Sequence, residues 1–313
     1  MTPEVLRGLL PLYGMAADAP LYLLNRSENA TWEAGDALIL RVHRQGYHTA
    51  AEIASELAWL QALQGTGLRC VKPVAARDGT LLQSHAGFQV AGFQRLAARE
   101  VTAGDDLEHW FAELGRISAG LHVHARGWAR PAGFARKRWD TETILGPAPH
   151  WGDWRDAVGL DQPGRVVLQR LADDLTARLG VYGTGADRFG LVHADLRLTN
   201  LMLDEGGLWA IDFDDCGFGW WMYDLAAALS FIETDARVPA LIAAWVAGHG
   251  QVGAEDRAII PTLVMLRRVL LTAWLASRAD SDTAAEIGAA GYTAGTVMLA
   301  ERFLVVGPGR MWG

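Results

Sequence analysis

The sequence predicts an α+β protein with a β-rich N-terminal lobe that contains one key helix, and a mainly helical C-terminal lobe. Short β segments separated by turn residues precede residue 94, and helical spacing of apolar residues dominates from Leu107 onward. The chain has 313 residues, half of them apolar, which is enough to bury a core in each lobe. We therefore place the two lobes at residues 1–94 and 95–313 and expect a cleft between them.

The N-terminal lobe is predicted from apolar runs bounded by Asn, Ser, Gly and Asp. A helix is expected over residues 49–64, because Ile53, Leu57 and Leu60 recur at the spacing of one helix face and Gly65 follows. The strands are expected at 20–25, 30–32, 37–43, 71–74, 81–83 and 87–93.

The C-terminal lobe is predicted from longer amphipathic segments. Helices are expected at 107–124, at 166–179 and repeatedly over 223–303, with an irregular Pro/Gly/Trp-rich stretch at 127–154. The most apolar segment, residues 258–276, carries Arg267 and Arg268 at its centre. Adjacent arginines indicate a buried helix rather than a membrane span.

Composition excludes several classes of protein. The net charge of −8 argues against a nucleic-acid partner that would need a basic surface. The first residues lack the basic and then apolar order of a signal peptide, and we expect no membrane partner. Cys70 and Cys216 fit no metal-ligand spacing and are expected to be reduced thiols, so a cytoplasmic location is predicted.

The strongest functional signal lies between residues 193 and 214. The segment reads H-A-D-L-R-L-T-N, from His193 to Asn200, and I-D-F-D follows at 211–214. Catalytic loops of kinases read H-R-D-L-x-x-x-N, and a metal-binding D-F-G comes later in their chains. Phosphoryl transfer needs a carboxylate that faces the acceptor hydroxyl, and oxygen ligands for a magnesium ion. The pattern therefore predicts a phosphotransferase that uses ATP and Mg²⁺, with Asp195 as catalytic base and Asn200 and Asp212 as metal ligands.

For Asp212 to lie beside Asn200, the chain must reverse direction in a tight turn. The turn at 204–207, between apolar runs at 201–203 and 208–211, predicts a β-hairpin that brings Asp212 back beside Asn200. The alternative is that these are ordinary turn residues, because Asp and Asn favour turns. The coincidence of the hairpin, the histidine and the second aspartate favours the functional interpretation.

These residues resemble the aminoglycoside phosphotransferase/choline kinase-like family, which also includes homoserine kinases and a bacterial stress-response Ser/Thr kinase. The resemblance is strongest over 191–225 and good over 37–63. It implies a protein kinase-like bilobal fold, with a nucleotide-binding lobe at 1–94. Residues 95–313 would then hold the catalytic loop, the hairpin and the acceptor site. It also implies the same roles for Asp195, Asn200 and Asp212.

The family's phosphate-binding lysine corresponds to Arg41 in this sequence. Arginine keeps the charge and can bind phosphate with two nitrogens, although its shape differs from that of lysine. Glu56 resembles the helix glutamate that pairs with this cation, and its position beside Ile53 and Leu60 predicts an inward orientation. The alternatives are an exposed strand residue at Arg41 and a surface acid at Glu56.

The remaining nucleotide contacts are implied by position in the family alone. The loop that covers the phosphates would be residues 25–30, with Ser27 and Asn29 as contacts, although it lacks the glycine-rich pattern. A plain turn between strands is the alternative for this loop. The hinge beside the adenine would lie in 87–96, with Phe93, Gln94 and Leu96 as contacts.

The acceptor is predicted to be a small hydroxyl-bearing molecule: an aminoglycoside, a choline-like amine, homoserine or a sugar. Eleven residues separate Asp212 from Asp224, and no A-P-E element of the kind that docks peptides follows. Arg197 stands two positions after Asp195, where protein kinases place a lysine, and we include it among the catalytic residues. Because of this likeness to protein kinases, a protein substrate is the alternative to a small-molecule acceptor. A non-catalytic nucleotide-binding protein is the second alternative.

Neighbouring residues receive supporting roles. Asp224 is predicted to cap the following helix and to anchor the catalytic loop, and His193 to order that loop. Trp220, Trp221 and Tyr223 either form an aromatic cage for a quaternary amine or pack in the core, and packing is favoured.

Overall fold

The computed structural model describes residues 2–26, 29–102, 104–279 and 282–312. The α-helices are α1 (Pro3–Arg7), α2 (Ala50–Leu63), α3 (Leu107–Gly127), α4 (Thr141–Leu145), α5 (Gln162–Tyr182), α6 (Tyr223–Ala228), α7 (Val238–His249), α8 (Ala254–Ala276), α9 (Asp282–Ile287) and α10 (Ala289–Val306). The strands are β1 (Leu21–Arg26), β2 (Ala30–Ala34), β3 (Leu38–Val42), β4 (Pro73–Val74), β5 (Leu82–His85), β6 (Phe88–Gln94), β7 (Arg99–Glu100), β8 (Arg138–Trp139), β9 (Phe189–Val192), β10 (Leu201–Asp204), β11 (Gly207–Ala210) and β12 (Gly217–Trp220).

The chain folds into two compact units that are not continuous in sequence. The first unit consists of Met1–Val101, Trp128–Lys137 and Thr199–Asp215. The second consists of Thr102–Gly127, Arg138–Leu198 and Cys216–Gly313. The first unit is thus β-rich and contains the predicted helix α2, and the second is mainly helical. The α+β class predicted from the sequence is confirmed.

The first unit is built on an antiparallel sheet with the order β1-β2-β3-β6-β4, and β5 pairs with β6. Leu38, Leu40 and Val42 of β3 are buried in an apolar cluster with Trp32 and Val90. Because successive side chains of a strand point to opposite faces, Arg41 lies on the face away from this cluster. The sheet therefore sets the direction of the candidate phosphate-binding cation.

Helix α2 begins at a reciprocal cap. The backbone N–H of Glu52 donates to the Thr49 hydroxyl over 3.2 Å, and the N–H of Thr49 donates to the Glu52 carboxylate over 2.7 Å. The predicted helix differs from the observed one by one residue at each end. Its buried stripe includes Ile53 and Leu60, and Glu56 belongs to that stripe.

The predicted hairpin is formed by β10 and β11, paired antiparallel from Leu201↔Ala210 to Asp204↔Gly207. Asp204 fixes the turn by accepting from the Gly206 N–H over 2.7 Å and from the Trp209 indole over 2.8 Å. Strand β7 pairs with β10 and extends the hairpin to three strands.

The second unit packs helices around a small sheet of order β8-β12-β9. Helices α3 and α7 approach with their backbones in contact. A Cβ at Gly115 would lie 2.1 Å from the carbonyl oxygen of Trp245, and one at Gly248 would lie 1.9 Å from that of Ala112. Only glycine permits this approach.

Helix α8 corresponds to the segment that the sequence predicts to be a buried helix. By length and composition it would suffice to cross a membrane, yet 94% of its most apolar window is buried inside the structure. Arg267 and Arg268 are buried within it. The prediction of a buried helix is confirmed.

Two parts of the second unit differ from the prediction. Helix α5 begins at Gln162 rather than at 166, because Asp161 caps it and Pro163 occupies the first turn, where a proline costs no hydrogen bond. The stretch expected to be irregular contains β8 and α4, and Asp140 caps α4 by accepting from the Thr143 N–H over 3.1 Å. Two- and five-residue elements carry too little periodicity to be recognised in a sequence.

Candidate active site

Arg41 and Glu56 are brought together in the first unit by β3 and α2. A guanidinium nitrogen of Arg41 donates to the Glu56 carboxylate, and the two residues are 6% and 0% exposed. The Arg41 guanidinium also lies 4.7 Å from the centre of the Phe93 ring and 3.2 Å from an oxygen of Asp212. The exposed-strand and surface-acid alternatives are excluded, because both residues are buried.

The charge on Arg41 is secured by its carboxylate neighbours. Burial alone lowers the pKa of Arg41, but Glu56, Asp214 and Asp212 outweigh burial and raise the pKa above its ordinary value. Arg41 is therefore a permanent cation held beside the D-F-D segment.

Asp214 is the buried centre of a group of polar contacts in the first unit. Its carboxylate accepts from the Asn29 amide over 2.9 Å and lies 3.4 Å from His48, 3.5 Å from His43 and 3.9 Å from Arg41. Burial raises the pKa of Asp214, but Arg41, His43 and His48 lower it well below its ordinary value. From the sequence, Asp214 and Asp215 either assist the metal or the acceptor or form a solvated acidic turn. The solvated turn is wrong, because the two residues are 3% and 9% exposed.

Asn200 and Asp212 lie at the open end of the hairpin. The N–H of Ile211 donates to the carbonyl of Asn200 over 3.0 Å, so the residue before Asp212 is joined directly to Asn200. Asp212 adopts a left-handed φ of 59°, and its side chain is 48% exposed. A half-exposed carboxylate and an amide oxygen are the kind of ligands that bind Mg²⁺.

Two basic residues of the first unit were missed by sequence reasoning. Arg136 donates to the carbonyl of Asp214, and the Lys137 ammonium lies 3.8 Å from the centre of the Tyr47 ring. Tyr47 in turn donates to Asp215 over 2.6 Å. Burial lowers the pKa of Lys137, although Asp215 opposes this. The run Arg136-Lys137-Arg138 in the tryptophan-rich stretch was the available signal.

The other predicted nucleotide contacts occupy separate positions in the first unit. The Asn29 amide is bonded to Asp214, and Phe93 is buried under the Arg41 guanidinium. The N–H of Gln94 donates to the Lys72 carbonyl over 2.9 Å, and Leu96 is partly buried after the end of β6. Ser27 lies outside the described residues.

Asp195 is held between two arginines in the second unit. Its residue exposure is 8%. The Arg267 guanidinium donates to Oδ1, and the Nε of Arg197 lies 3.4 Å from Oδ2. Burial raises the pKa of Asp195, but Arg197, Arg267 and His193 together lower it below its ordinary value. The carboxylate is therefore ionised at neutral pH.

The catalytic loop is anchored by Asp224, as the sequence predicts. The Asp224 carboxylate accepts from the backbone N–H of Ala194 over 2.8 Å and from that of His193 over 3.4 Å. The prediction that Asp224 caps the helix is wrong, because Met222 is the cap and Asp224 lies inside α6. The N–H of Asp195 donates to His193 over 3.3 Å, which matches the ordering role predicted for that histidine.

Asp224 is itself held by a buried pair of histidines that the sequence did not reveal. His122 Nε2 lies 2.9 Å from Asp224, and His122 Nδ1 lies 3.2 Å from His249 Nε2. Burial and the neighbouring His122 and Arg126 lower the pKa of His249 to about 4. The His249 ring is therefore uncharged at neutral pH.

The aromatic residues after the D-F-D segment pack in the core. Trp220, Trp221 and Tyr223 are 1%, 3% and 0% exposed. The Trp220 indole donates to the Gly183 carbonyl over 2.8 Å, and a Cβ on Gly190 would lie 2.0 Å from the Trp221 ring. The favoured interpretation as packing residues is confirmed.

The sheet-based first unit, the helical second unit and the H-x-D-x-x-x-x-N and D-F-D segments together define a phosphotransferase of kinase-like fold. Residues 23–259 match the phosphotransferase enzyme family, and the chain belongs to that family.

Three known kinases are similar to this chain. The chain is 43% identical to the microcompartment-associated aminopropanol kinase, with a TM-score of 0.89 over 97% of this chain and 98% of that one. It is 26% identical over 305 residues to the amicoumacin kinase of Bacillus subtilis (strain 168), which covers 90% of this chain and 87% of the relative. The structure of amicoumacin kinase hAmiN in complex with AMP-PNP, Ca²⁺ and Ami shares the fold at 23% identity, with a TM-score of 0.73 over 88% of this chain and 87% of that one.

The protein is therefore an ATP-dependent kinase that acts on an alcohol group of a small molecule. Its partners are a nucleotide and a small-molecule acceptor. This class fits the chain better than a protein kinase or a non-catalytic nucleotide-binding protein does.

Proposed function

We propose that the acceptor is a short amino alcohol with a primary amine and no carboxylate. The observation that carries this proposal is the 43% identity to the aminopropanol kinase, maintained over 97% of this chain and 98% of that one. The amicoumacin kinase is more distant, at 26% identity. The short connection between Asp212 and Asp224 supports a small acceptor. It contains β12 at Gly217–Trp220 and the first residue of α6, Tyr223.

In the proposed reaction, Asp195 takes the proton of the acceptor hydroxyl. The acceptor oxygen forms a bond to the γ-phosphorus of ATP, the bond from that phosphorus to the bridging oxygen breaks, and ADP leaves. Asp195 suits this role because it is ionised, its Oδ1 is bonded to Arg267, and its Oδ2 lies 3.4 Å from Arg197. Arg197 is the outer cation, with 32% of its side chain exposed, and we assign it to balance charge on the transferring phosphoryl group.

We propose that Asn200 and Asp212 hold Mg²⁺. In the described part of the chain, no group of three or more His, Cys, Asp or Glu side chains is arranged to hold a metal by itself. This fits Mg²⁺, which usually binds one or two protein carboxylates together with substrate phosphates and water. The half-exposed Asp212 and the Asn200 amide supply oxygen ligands of that kind. When bound, the ion would neutralise phosphate charge.

The nucleotide is proposed to bind the unit that contains Arg41, at residues 1–94, and the acceptor to bind within 95–313. Arg41 would contact the phosphates, and Glu56 would hold Arg41 in place. Ser27 and Asn29 remain proposed contacts of the phosphates, and Phe93, Gln94 and Leu96 of the adenine. We propose a cytoplasmic location, because ATP is the donor.

A matched acceptor panel tests the proposal. ADP release is measured with 1-amino-2-propanol, 3-amino-1-propanol, ethanolamine, choline, homoserine, kanamycin and a protein mixture at saturating Mg-ATP. We expect the highest kcat/KM for 1-amino-2-propanol, 3-amino-1-propanol or ethanolamine, which have a primary amine and no carboxylate. A higher value for homoserine, choline, the aminoglycoside or protein would overturn the assignment of the acceptor.

The role of Asp195 is tested in the same assay with the best acceptor. Asp195→Asn should lower kcat by about 10²–10⁴-fold, the usual contribution of a general base. Asp187→Asn is the control, because Asp187 lies in the same unit with 73% of its side chain exposed. Equal turnover by the two variants would remove Asp195 from the role of base.

A further inference from the structure

Helix α8 contains two adjacent buried arginines, each paired with a different carboxylate. Arg267 donates to Asp195, and Arg268 donates to Glu233 over 2.9 Å. The two arginines are 2% and 6% exposed. Adjacent helix residues project in directions about 100° apart, so the two guanidinium groups serve separate sites.

The Arg267 guanidinium is fixed by three different acceptors. Besides Asp195 Oδ1, it donates through Nη1 to the carbonyl of Ala194 over 3.3 Å and through Nε to the Ser230 hydroxyl over 3.1 Å. Its centre lies 5.1 Å from the centre of the Trp151 ring. A planar group that is bonded on three sides and packed against an aromatic ring has little freedom to rotate.

The two oxygens of Asp195 therefore have different surroundings. Oδ1 is bonded to Arg267, whose side chain is 2% exposed, whereas Oδ2 lies 3.4 Å from Arg197, whose side chain is 32% exposed. Arg267 also holds the carbonyl of Ala194, the residue before Asp195, which adopts a left-handed φ of 67°. One guanidinium thus fixes both the carboxylate and the backbone that presents it.

We propose that Arg267 is a positioning residue for phosphoryl transfer: it holds Oδ1 of Asp195 from the buried side, so that Oδ2 faces the acceptor hydroxyl. The inference rests on the role of Asp195 as base proposed above, and it does not depend on which alcohol is the acceptor. Arg267 contacts no substrate in this scheme and acts through Asp195.

The arrangement has a consequence for the pH dependence of the reaction. Burial raises the pKa of Asp195, and Arg197, Arg267 and His193 lower it below its ordinary value. Asp195 therefore stays ionised as the pH falls, and turnover persists into the acid range. Removal of the Arg267 charge raises this pKa, so the loss of activity on acidification begins at a higher pH.

The experiment compares Arg267→Met and Arg267→Lys with Arg268→Met and Arg268→Lys. Arg268 is the matched control, because it lies next to Arg267 on α8, is similarly buried and also pairs with a buried carboxylate. kcat and KM for ATP and for the acceptor are measured across pH, beside thermal unfolding of each variant. Any alcohol that the enzyme phosphorylates serves as acceptor.

For Arg267→Met we expect kcat to fall by about 10²-fold, as for a misplaced catalytic group. The acid limb of the kcat profile should move up by about 1–3 pH units. KM for ATP should be unchanged. Arg267→Lys keeps the charge but loses the fork geometry, so its acid limb should stay near that of the wild type while kcat is reduced. If Arg267→Met does not fold, the lysine variants carry the comparison.

Arg268 variants should lower thermal stability and leave the acid limb in place. The positioning role would be overturned if the Arg268 variants changed kcat and shifted the acid limb as much as the Arg267 variants do. This result is distinct from a failure of the base assignment, in which Asp195→Asn itself would retain full turnover.

Discussion

The buried pair of Arg41 and Glu56 allows a quantitative test of how the first unit holds its cation. The perturbations are Arg41→Met, Glu56→Gln and the double variant. Arg41→Met removes the guanidinium that faces Glu56, which is 0% exposed, and Asp214, which is 3% exposed. Glu56→Gln leaves Arg41 with Asp212 at 3.2 Å and Asp214 at 3.9 Å. The two single variants are therefore not equivalent.

The expected magnitudes follow from this asymmetry. Arg41→Met leaves buried carboxylates without their cation and should lower the free energy of unfolding by about 3–5 kcal/mol. At about 2–4 °C per kcal/mol, the melting temperature falls by about 6–20 °C. Glu56→Gln keeps a hydrogen-bond acceptor for a still-compensated arginine and should cost about 1–3 kcal/mol. The double variant should cost less than the sum of the single variants, because it removes both charges.

Thermal unfolding of the four proteins, followed by tryptophan fluorescence, measures these differences. Arg95 and Glu33 form the matched control in the same unit, with side chains 37% and 20% exposed and a separation of 2.7 Å. Arg95→Met and Glu33→Gln should each change stability by less than about 1 kcal/mol. If Arg41→Met costs no more than Glu56→Gln, the argument that Arg41 compensates several carboxylates is refuted.

Two further predictions concern the metal site and the histidine pair. Mg-ATP at a hundred times Kd should stabilise the protein by about 2.7 kcal/mol and raise its melting temperature. Asp212→Ala should abolish this rise, whereas Glu205→Ala, at an exposed position in the hairpin turn, should retain it. An unchanged shift in Asp212→Ala would rule out its role in binding. The pKa of His249 is lowered from 6.5 to about 4, so its uncharged form stabilises the fold above pH 6.5 and that contribution is lost as the pH falls through about 4. His249→Phe should flatten the dependence of melting temperature on pH between about pH 4 and 6.5. His109→Phe, at an exposed position on α3, should leave that dependence unchanged. Equal slopes of melting temperature against pH in the two variants would contradict this prediction.

The parts of the fold predicted from the sequence are those that depend on local pattern. Helix α2, the β10–β11 hairpin and the buried α8 each follow from apolar periodicity, turn residues or composition within one short segment. The proximity of Arg41 and Glu56 also follows, because a strand and the next helix need only one connection to bring them together. Their separation is 15 residues.

The contacts that the sequence did not reveal join distant segments. Asn29 and Asp214 are 185 residues apart, Arg136 and Asp214 are 78 apart, and Arg267 and Asp195 are 72 apart. No periodicity specifies such pairs, since each depends on how complete elements pack. The mistaken cap at Asp224 has the same origin: its carboxylate is bonded to the catalytic loop and to His122 instead of to its own helix.

The left-handed backbone at Ala194 has a consequence for engineering this enzyme. A non-glycine residue in that conformation costs about 1–3 kcal/mol, and glycine would remove the strain. Here the alanine is held by Asp224 at its N–H and by Arg267 at its carbonyl. A variant library selected for heat resistance alone would therefore favour Ala194→Gly. The same substitution would give the residue before Asp195 more freedom, so heat-resistant clones should be screened for turnover before they are kept.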